Sequence, residues 1–220
     1  MNELNFSSMK HRVLSHYEPY KNRASAYRLF FQESIRSLGP TASMFPSSRY
    51  LANALTRPID FRCARTVVEL GPGTGAVTKE ILKHLRPDGK LFAIDINPIF
   101  IAHLRDTCDD PRLVLLRGSA TDMVSLLAQH DISSVDAVVS SLGLTGMEHR
   151  SRMFILRQIG DCLAPHGTMT QYQYAGNFEI PKLRLGGFNE ARFLRRFFAD
   201  VSVGHVIRNL PPALVFTCRK

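Results

Sequence analysis

The chain has 220 residues, 45% hydrophobic and 21% charged, a balance that fits one globular domain with short appendages and excludes a low-complexity or disordered chain. No apolar run reaches the roughly 18 residues needed to cross a bilayer, and Met1–Lys10 lacks the apolar stretch and cleavage site of a secretion signal. The net charge of +9 is uneven, at +6 over residues 1–65, −2 over 66–178 and +5 over 179–220; basic ends suit a polyanion, either nucleic acid or an anionic membrane face, or serve solubility alone.

In chain order, residues 1–25 are polar and weakly patterned. Ala26, Tyr27, Leu29, Phe30, Phe31 and Ile35 then repeat at helical spacing, which predicts an amphipathic helix that Gly39-Pro40 ends. The stretch Phe45–Leu55 reads as a serine cap followed by a short helix. The body opens with a buried strand at Thr66–Leu70, a glycine turn and a helix at Val77–Leu85. Strands at Leu91–Asp95, Leu113–Leu116, Val135–Ser140 and Thr168–Tyr174 alternate with helices at Pro98–Thr107, Met123–Gln129 and Glu148–Leu163. A helix at Glu190–Phe198 and strands at Val201–Val206 and Leu214–Cys218 close the chain. This alternation predicts an α/β fold, a mostly parallel sheet covered on both faces, with residues 1–60 as a basic helical leader or lid and 61–220 as the ligand-binding domain. In such sheets ligands bind at the carboxyl ends of the strands, at the switch point.

Cys63, Cys108, Cys162 and Cys218 form no Cys-x-x-Cys pair, and no two of the eight histidines stand at i,i+4 beside an acid. The expectation is reduced thiols in a cytosol and no metal site.

The segment Val67-Val-Glu-Leu-Gly-Pro-Gly-Thr-Gly75 lies between a strand and a helix. Glycines there permit positive φ and close approach of a ligand to the backbone. Read as Gly71-x-Gly73-x-x-Ala76, the segment also matches a dinucleotide fingerprint. Glu69 shifts the balance. A carboxylate at that strand end is a poor neighbour for a pyrophosphate and a good one for an ammonium, and S-adenosylmethionine carries an ammonium and a sulfonium. Asp95, ending the second strand, can accept both ribose hydroxyls of either cofactor. In Arg117-Gly-Ser-Ala-Thr-Asp122, Ser119 and the Ala120 backbone are placed at the base edge, and Asp122 either joins them or caps the next helix. The residues expected to bind the cofactor are Glu69, Gly71, Gly73, Thr74, Gly75, Asp95, Ile96, Ser119, Ala120 and Ser140.

Val67–Thr78 resembles motif I of class I methyltransferases. It is especially similar to the Val-Leu-Glu-Ile-Gly-Pro-Gly-Thr-Gly shared by ribosomal RNA adenine dimethyltransferases and bacterial phospholipid N-methyltransferases. Base N-methyltransferases carry an Asn/Asp-Pro-Pro-Tyr motif after the fourth strand, to grip and stack a flipped base. Here that place reads Ser140-Ser-Leu-Gly-Leu144, and the chain ends with its last strand, so the expectation turns away from nucleic acid. Four further segments resemble the phospholipid family: Pro46-Ser-Ser-Arg-Tyr-Leu-Ala52, Val139-Ser-Ser-Leu-Gly-Leu144, Gln171-Tyr-Gln-Tyr174 and Arg208-Asn-Leu-Pro-Pro-Ala213. Ser141 and Gly143 stand where that family has Gly and Pro.

The resemblance implies a Rossmann-like class I methyltransferase fold of seven strands with an N-terminal helical extension. It also implies S-adenosylmethionine as methyl donor and N-methylation of a membrane lipid amine, phosphatidylethanolamine first and an ornithine-type aminolipid next. A ribosomal RNA adenine or a soluble small-molecule amine is the alternative acceptor. Tyr174 and Ser141 are the expected catalytic residues, and Arg49, Tyr50 and Tyr174 are expected to bind substrate, the first two through its phosphate. Leu29, Phe30 and Phe31, with Arg23, Arg28 and Arg36, suit a membrane interface or a lid over the cofactor. The expected place of action is cytoplasmic, peripheral to the inner face of the membrane, with an anionic membrane surface and an aminolipid as partners.

Overall fold

The computed structural model of the chain describes residues 48–174, 187–209 and 211–220. The expected helix at Ala26–Ile35, and the rest of the leader before Ser48, lie outside the described residues.

The first described element is helix α1, Arg49–Thr56, which Ser48 caps: its Oγ accepts from the Leu51 N–H at 3.2 Å. The sheet strands are β1 Thr66–Leu70, β2 Lys90–Asp95, β3 Leu113–Arg117, β4 Val135–Ser140, β5 Leu163–Tyr174, β6 Asp200–Val206 and β7 Ala213–Arg219. Between them run α2 Ala76–His84, α3 Pro98–Thr107, α4 Met123–Ala128, α5 His149–Cys162 and α6 Gly187–Leu194. The sheet order is β3-β2-β1-β4-β5-β7-β6, parallel except for β7, which runs antiparallel to both neighbours. This is the expected seven-stranded, mostly parallel architecture. β1 and β4 lie side by side at the point where strand order reverses, so their carboxyl ends open into the ligand crevice.

Both faces of the sheet are covered, which is why the central strands read as continuous apolar runs rather than as an alternation. On one face Val68, Leu70, Val138 and Phe216 pack against Ile155, Ile159, Leu194 and Phe198. On the other, Val67, Val139 and Val215 pack with Leu51, Leu55, Val77, Ile81 and Tyr172. Helix α1 falls within the leader by a boundary at residue 60, yet Leu51 and Leu55 are fully buried in this second core. Burying each such side chain contributes about 1.5–3 kcal/mol, so α1 is held in the compact unit that contains the sheet.

Two elements differ from the sequence reading by more than one residue. β5 begins at Leu163 rather than Thr168, because Leu163 pairs with Val135 before the register shifts to Ala137↔Thr168. The shift spans Pro165, the left-handed His166 and Gly167. α6 starts before Glu190 and ends at Leu194, and the Phe197 and Phe198 N–H groups still bond back to the Leu194 carbonyl at 2.9 and 3.1 Å. Arg152 on α5 forms an ion pair with the buried Glu190 on α6 and lies over the Phe193 ring, 3.9 Å from its centroid, which fixes α6 against α5.

The glycine turn joins β1 to α2 with three left-handed glycines at alternate positions, φ +74° at Gly71, +52° at Gly73 and +82° at Gly75. A Cβ on Gly75 would stand 2.4 Å from Leu104 Cδ2 on α3, whereas one on Gly73 would meet nothing within 4 Å. Gly75→Ala is therefore expected to cost about 2–4 kcal/mol, from backbone strain plus overpacking, and Gly73→Ala only about 1–2 kcal/mol, from strain alone. Urea unfolding of the two variants measures the difference; equal losses would contradict it.

Candidate functional site

The carboxyl ends of β1, β2, β3 and β4 surround a cleft of about 310 Å³. Gly71, Asp95, Ile96, Ser119 and Ala120, all expected at the cofactor, line it together with Thr121, Leu142, Met147 and Glu148. Glu69, Gly73, Thr74, Gly75 and Ser140 are not in its lining.

Glu69 sits directly beneath the turn and is fully buried. Its Oε2 accepts a 2.7 Å hydrogen bond from Thr78 Oγ1 on α2, and its Oε1 has no hydrogen-bond partner among the described residues. Burial, and secondarily the negative Asp95 nearby, raises its pKa from the usual 4.5 to about 8, against the opposing pull of the Thr78 bond. A buried carboxyl with one unserved oxygen behind three glycines fits a ligand that brings a cation and hydrogen-bond donors.

Asp95 ties the turn to the second strand. Its Oδ2 accepts from the Gly73 N–H at 3.3 Å and its Oδ1 from the Asn97 N–H at 2.8 Å. Burial also pushes its pKa up, and these two bonds resist the shift. Its neighbour Ile96 is 71% exposed, an apolar side chain at the cleft rim. On the third wall, Ser119 Oγ accepts from the Thr121 N–H at 3.2 Å and from Thr121 Oγ1 at 2.7 Å, which opens a 3-10 turn over Ala120–Asp122. Asp122 occupies the N-cap position of α4, but its side chain makes no capping bond. Gln158 on α5 braces this wall, donating to the Thr121 carbonyl at 2.7 Å and accepting from the Val124 N–H at 3.2 Å.

Beyond β4, the Ser141 N–H bonds the Leu70 carbonyl at 2.8 Å, and Gln171 Nε2 holds the Leu142 carbonyl at 2.8 Å. The segment after β4 is thus clamped between β1 and β5. Ser140 is fully buried and its Oγ lies 3.5 Å from the Leu142 N–H, a long contact. Ser141 Oγ is buried with no hydrogen-bond partner among the described residues.

Tyr174 ends β5 in a half-buried position, edge-on to Tyr172 with ring centroids 5.2 Å apart. Arg49 and Tyr50 are neighbours in the first turn of α1, where Arg49 Nη2 donates to Tyr50 Oη at 2.9 Å. That bond, and then the guanidinium charge, holds the Tyr50 phenol below its usual pKa. Neither these two residues nor Ser141 and Tyr174 line the cleft. Thr78, Gln158 and Gln171 were missed by sequence reasoning. A hydroxyl one turn into α2 gave the only local signal, since it faces back toward the strand that carries Glu69. Among the described residues, no group of three or more His, Cys, Asp or Glu is arranged to hold a metal ion, and no helix is long and apolar enough to cross a membrane.

Because its folded pKa is raised, Glu69 retains a proton in the folded chain that the unfolded chain releases, so its contribution to stability falls as pH rises from about 4.5 to about 8. Glu69→Gln removes that dependence and preserves an acceptor for Thr78. Urea midpoints are expected to show the variant gaining on the natural chain at pH 9 relative to pH 5. The same difference at both pH values would contradict the buried, proton-holding carboxyl.

The chain resembles known proteins at three levels. A family profile described as a methyltransferase domain matches residues 67–167. The ornithine lipid N-methyltransferase of Singulisphaera acidiphila is 34% identical over 192 residues, which is 87% of this chain and 94% of that protein. The ribosomal RNA small subunit methyltransferase H of Halorhodospira halophila is 32% identical over 108 residues, 48% of this chain and 33% of that one. Among solved structures, 1,6-didemethyltoxoflavin-N1-methyltransferase of Burkholderia thailandensis, with S-adenosylhomocysteine bound, superposes with a TM-score of 0.63 over 92% of both chains at 16% identity. Aeropyrum pernix fibrillarin with bound S-adenosylmethionine gives 0.59 over 77% of this chain and 75% of that one, at 15% identity. With the β3-β2-β1-β4-β5-β7-β6 sheet, the glycine turn and a relative matched along nearly its whole length, this chain belongs to the class I S-adenosylmethionine-dependent methyltransferases, in the family of the ornithine lipid enzyme.

Proposed function

We propose that the protein N-methylates the amine head group of a membrane lipid, acting from the cytoplasmic side as a peripheral enzyme on an anionic membrane face. One observation carries the choice of acceptor: the 34% identity to an ornithine lipid N-methyltransferase extends over 94% of that relative. This similarity favours an ornithine-type aminolipid and leaves phosphatidylethanolamine, the first acceptor suggested by the sequence motifs, as the next to test. The likeness to the RNA enzyme spans 33% of that protein and supports a shared cofactor-binding half rather than RNA as substrate.

Each site residue then has a task. The unserved Oε1 of Glu69 accepts the cofactor's ammonium, and the arriving positive charge favours the ionised carboxylate that burial alone disfavours. Gly71, Gly73 and Gly75 present backbone without side-chain bulk over the turn, and Thr74 adds its own backbone between the last two. Asp95 accepts the ribose hydroxyls, with its orientation fixed by the Gly73 and Asn97 N–H groups. Ile96, Ser119 and Ala120 flank the base, and buried Ser140 supports the floor after β4. When bound, S-adenosylmethionine would supply an electrophilic methyl group that passes from its sulfonium to a neutral amine nitrogen, the S–C bond breaking to leave a neutral thioether and the methylated ammonium then losing a proton.

On the acceptor side, Ser141 Oγ is a buried hydroxyl able to accept from the amine. The Tyr174 ring offers a face to a methylated ammonium, worth about 0.5–2 kcal/mol. Arg49 and Tyr50 hold the acidic part of the head group. Positioning of this kind supplies on the order of 7–11 kcal/mol in well-oriented pairs, so no covalent intermediate on the protein is needed. The basic segments at 1–65 and 179–220 add attraction to an anionic leaflet, about 1 kcal/mol for each Lys or Arg at the surface.

The test is incorporation of labelled methyl groups from S-adenosylmethionine into a bacterial lipid extract, with the product identified by mass. Methylated ornithine-type lipid or methylated phosphatidylethanolamine is the expected product. Cofactor binding without incorporation into any aminolipid would sink the proposal, and transfer to RNA or to a soluble amine without lipid would replace it.

A further inference from the structure

We propose that Arg208, with Arg49 and Tyr50, forms a subsite for the anion of the acceptor's head group, a carboxylate or a phosphodiester, and so sets the preference for acidic aminolipids over plain amines. The inference rests on the aminolipid reading above. Arg208 stands in the turn between β6 and β7, remote in sequence from α1. The register Val206↔Ala213 and Tyr174↔Ala213 puts the end of β6 and the start of that turn at the same end of the strands as Tyr174. Helix α1 packs against β5, β6 and β7, with Leu51 and Leu55 buried among Val206, Ala213 and Val215.

The two guanidiniums meet at one ring. The Arg49 guanidinium carbon lies 4.9 Å from the Tyr50 centroid and that of Arg208 lies 5.7 Å from it. Among the described residues neither arginine forms an ion pair with a carboxylate, although seven other Lys and Arg side chains are paired in this way. Two like charges gathered at one aromatic, with no acid paired to either among the described residues, are repulsive until an anion joins them. Guanidinium forks suit carboxylate and phosphate oxygens alike, and Arg49 spends only one described donor on Tyr50.

The turn that carries Arg208 is braced from within. Asn209 is 5% exposed, and its Nδ2 donates to the Pro211 carbonyl at 2.7 Å. Beside Arg208, Ile207 is 80% exposed, so a large aliphatic side chain is presented next to the paired positive charges. Apolar and cationic groups displayed together fit the boundary between acyl chains and head groups better than open water.

The experiment compares the full chain with Arg208→Gln and with the Arg49→Gln/Arg208→Gln double variant, in neutral detergent micelles that remove attraction to an anionic surface. Three acceptors are used: an ornithine-type lipid bearing a carboxylate, phosphatidylethanolamine bearing a phosphodiester, and a long-chain primary alkylamine bearing neither. The readout is the ratio of kcat/KM for each acidic lipid to that for the alkylamine. A fall of about tenfold or more in that ratio for either acidic lipid, seen mainly in KM, is expected, and it identifies the anion the subsite takes. Thermal unfolding of each variant checks that the exposed substitutions leave the fold intact. An unchanged ratio with both acidic lipids overturns the subsite while leaving the aminolipid reading standing. No turnover of any aminolipid by the natural chain overturns that reading and the subsite with it.

Discussion

A fully buried carboxyl group with one oxygen unserved is the constraint around which this site is organised. Glu69 lies at the end of β1, in the centre of the sheet, where water cannot reach it. Burial without pairing costs a carboxylate several kcal/mol, so the free protein keeps the group protonated near neutral pH, with a pKa of about 8. The Thr78 hydroxyl serves one oxygen, and the other has no hydrogen-bond partner among the described residues. The arrangement is stable enough to fold and becomes well matched when a cation arrives through the glycine turn above it.

The surrounding structure makes that turn rigid. Gly71 donates to the Ile94 carbonyl and Gly73 to Asp95, which lashes the loop to β2. Gly75 is packed against Leu104, which leaves no room for a side chain. On the other side, Ser141 bonds β1 while Gln171 holds the Leu142 carbonyl, so the segment after β4 is fixed relative to the same turn. A methyl transfer that depends on positioning needs donor and acceptor sites built on one frame. In the proposed site, β1 and β4, neighbours at the strand-order reversal, would supply that frame.

Much of this was legible in the sequence because periodicity and glycine spacing report local backbone demands. The order of strands and helices, the serine cap before α1 and the turn at Gly71–Gly75 follow from such local signals. The contacts that orient Glu69, Leu142 and Arg208 do not. Thr78 lies nine residues from Glu69 and Gln171 lies 29 from Leu142, so their pairing depends on how α2 and β5 dock. Arg208 reaches Tyr50 only because β6 and β7 form a hairpin beside α1. The start of β5 rests on a pairing rather than a local pattern, since Leu163 pairs with Val135 across the irregularity before Thr168.

If Glu69 takes the cofactor's ammonium as proposed, cofactor binding and proton release are a single event. Titration calorimetry at pH 7 in buffers of different ionisation enthalpy measures the protons exchanged as S-adenosylmethionine binds. With a carboxyl protonated in the free protein and ionised beside the ligand's ammonium, the account predicts release approaching one proton per cofactor bound, and none from Glu69→Gln. Tight binding with no proton released by the natural chain would contradict it.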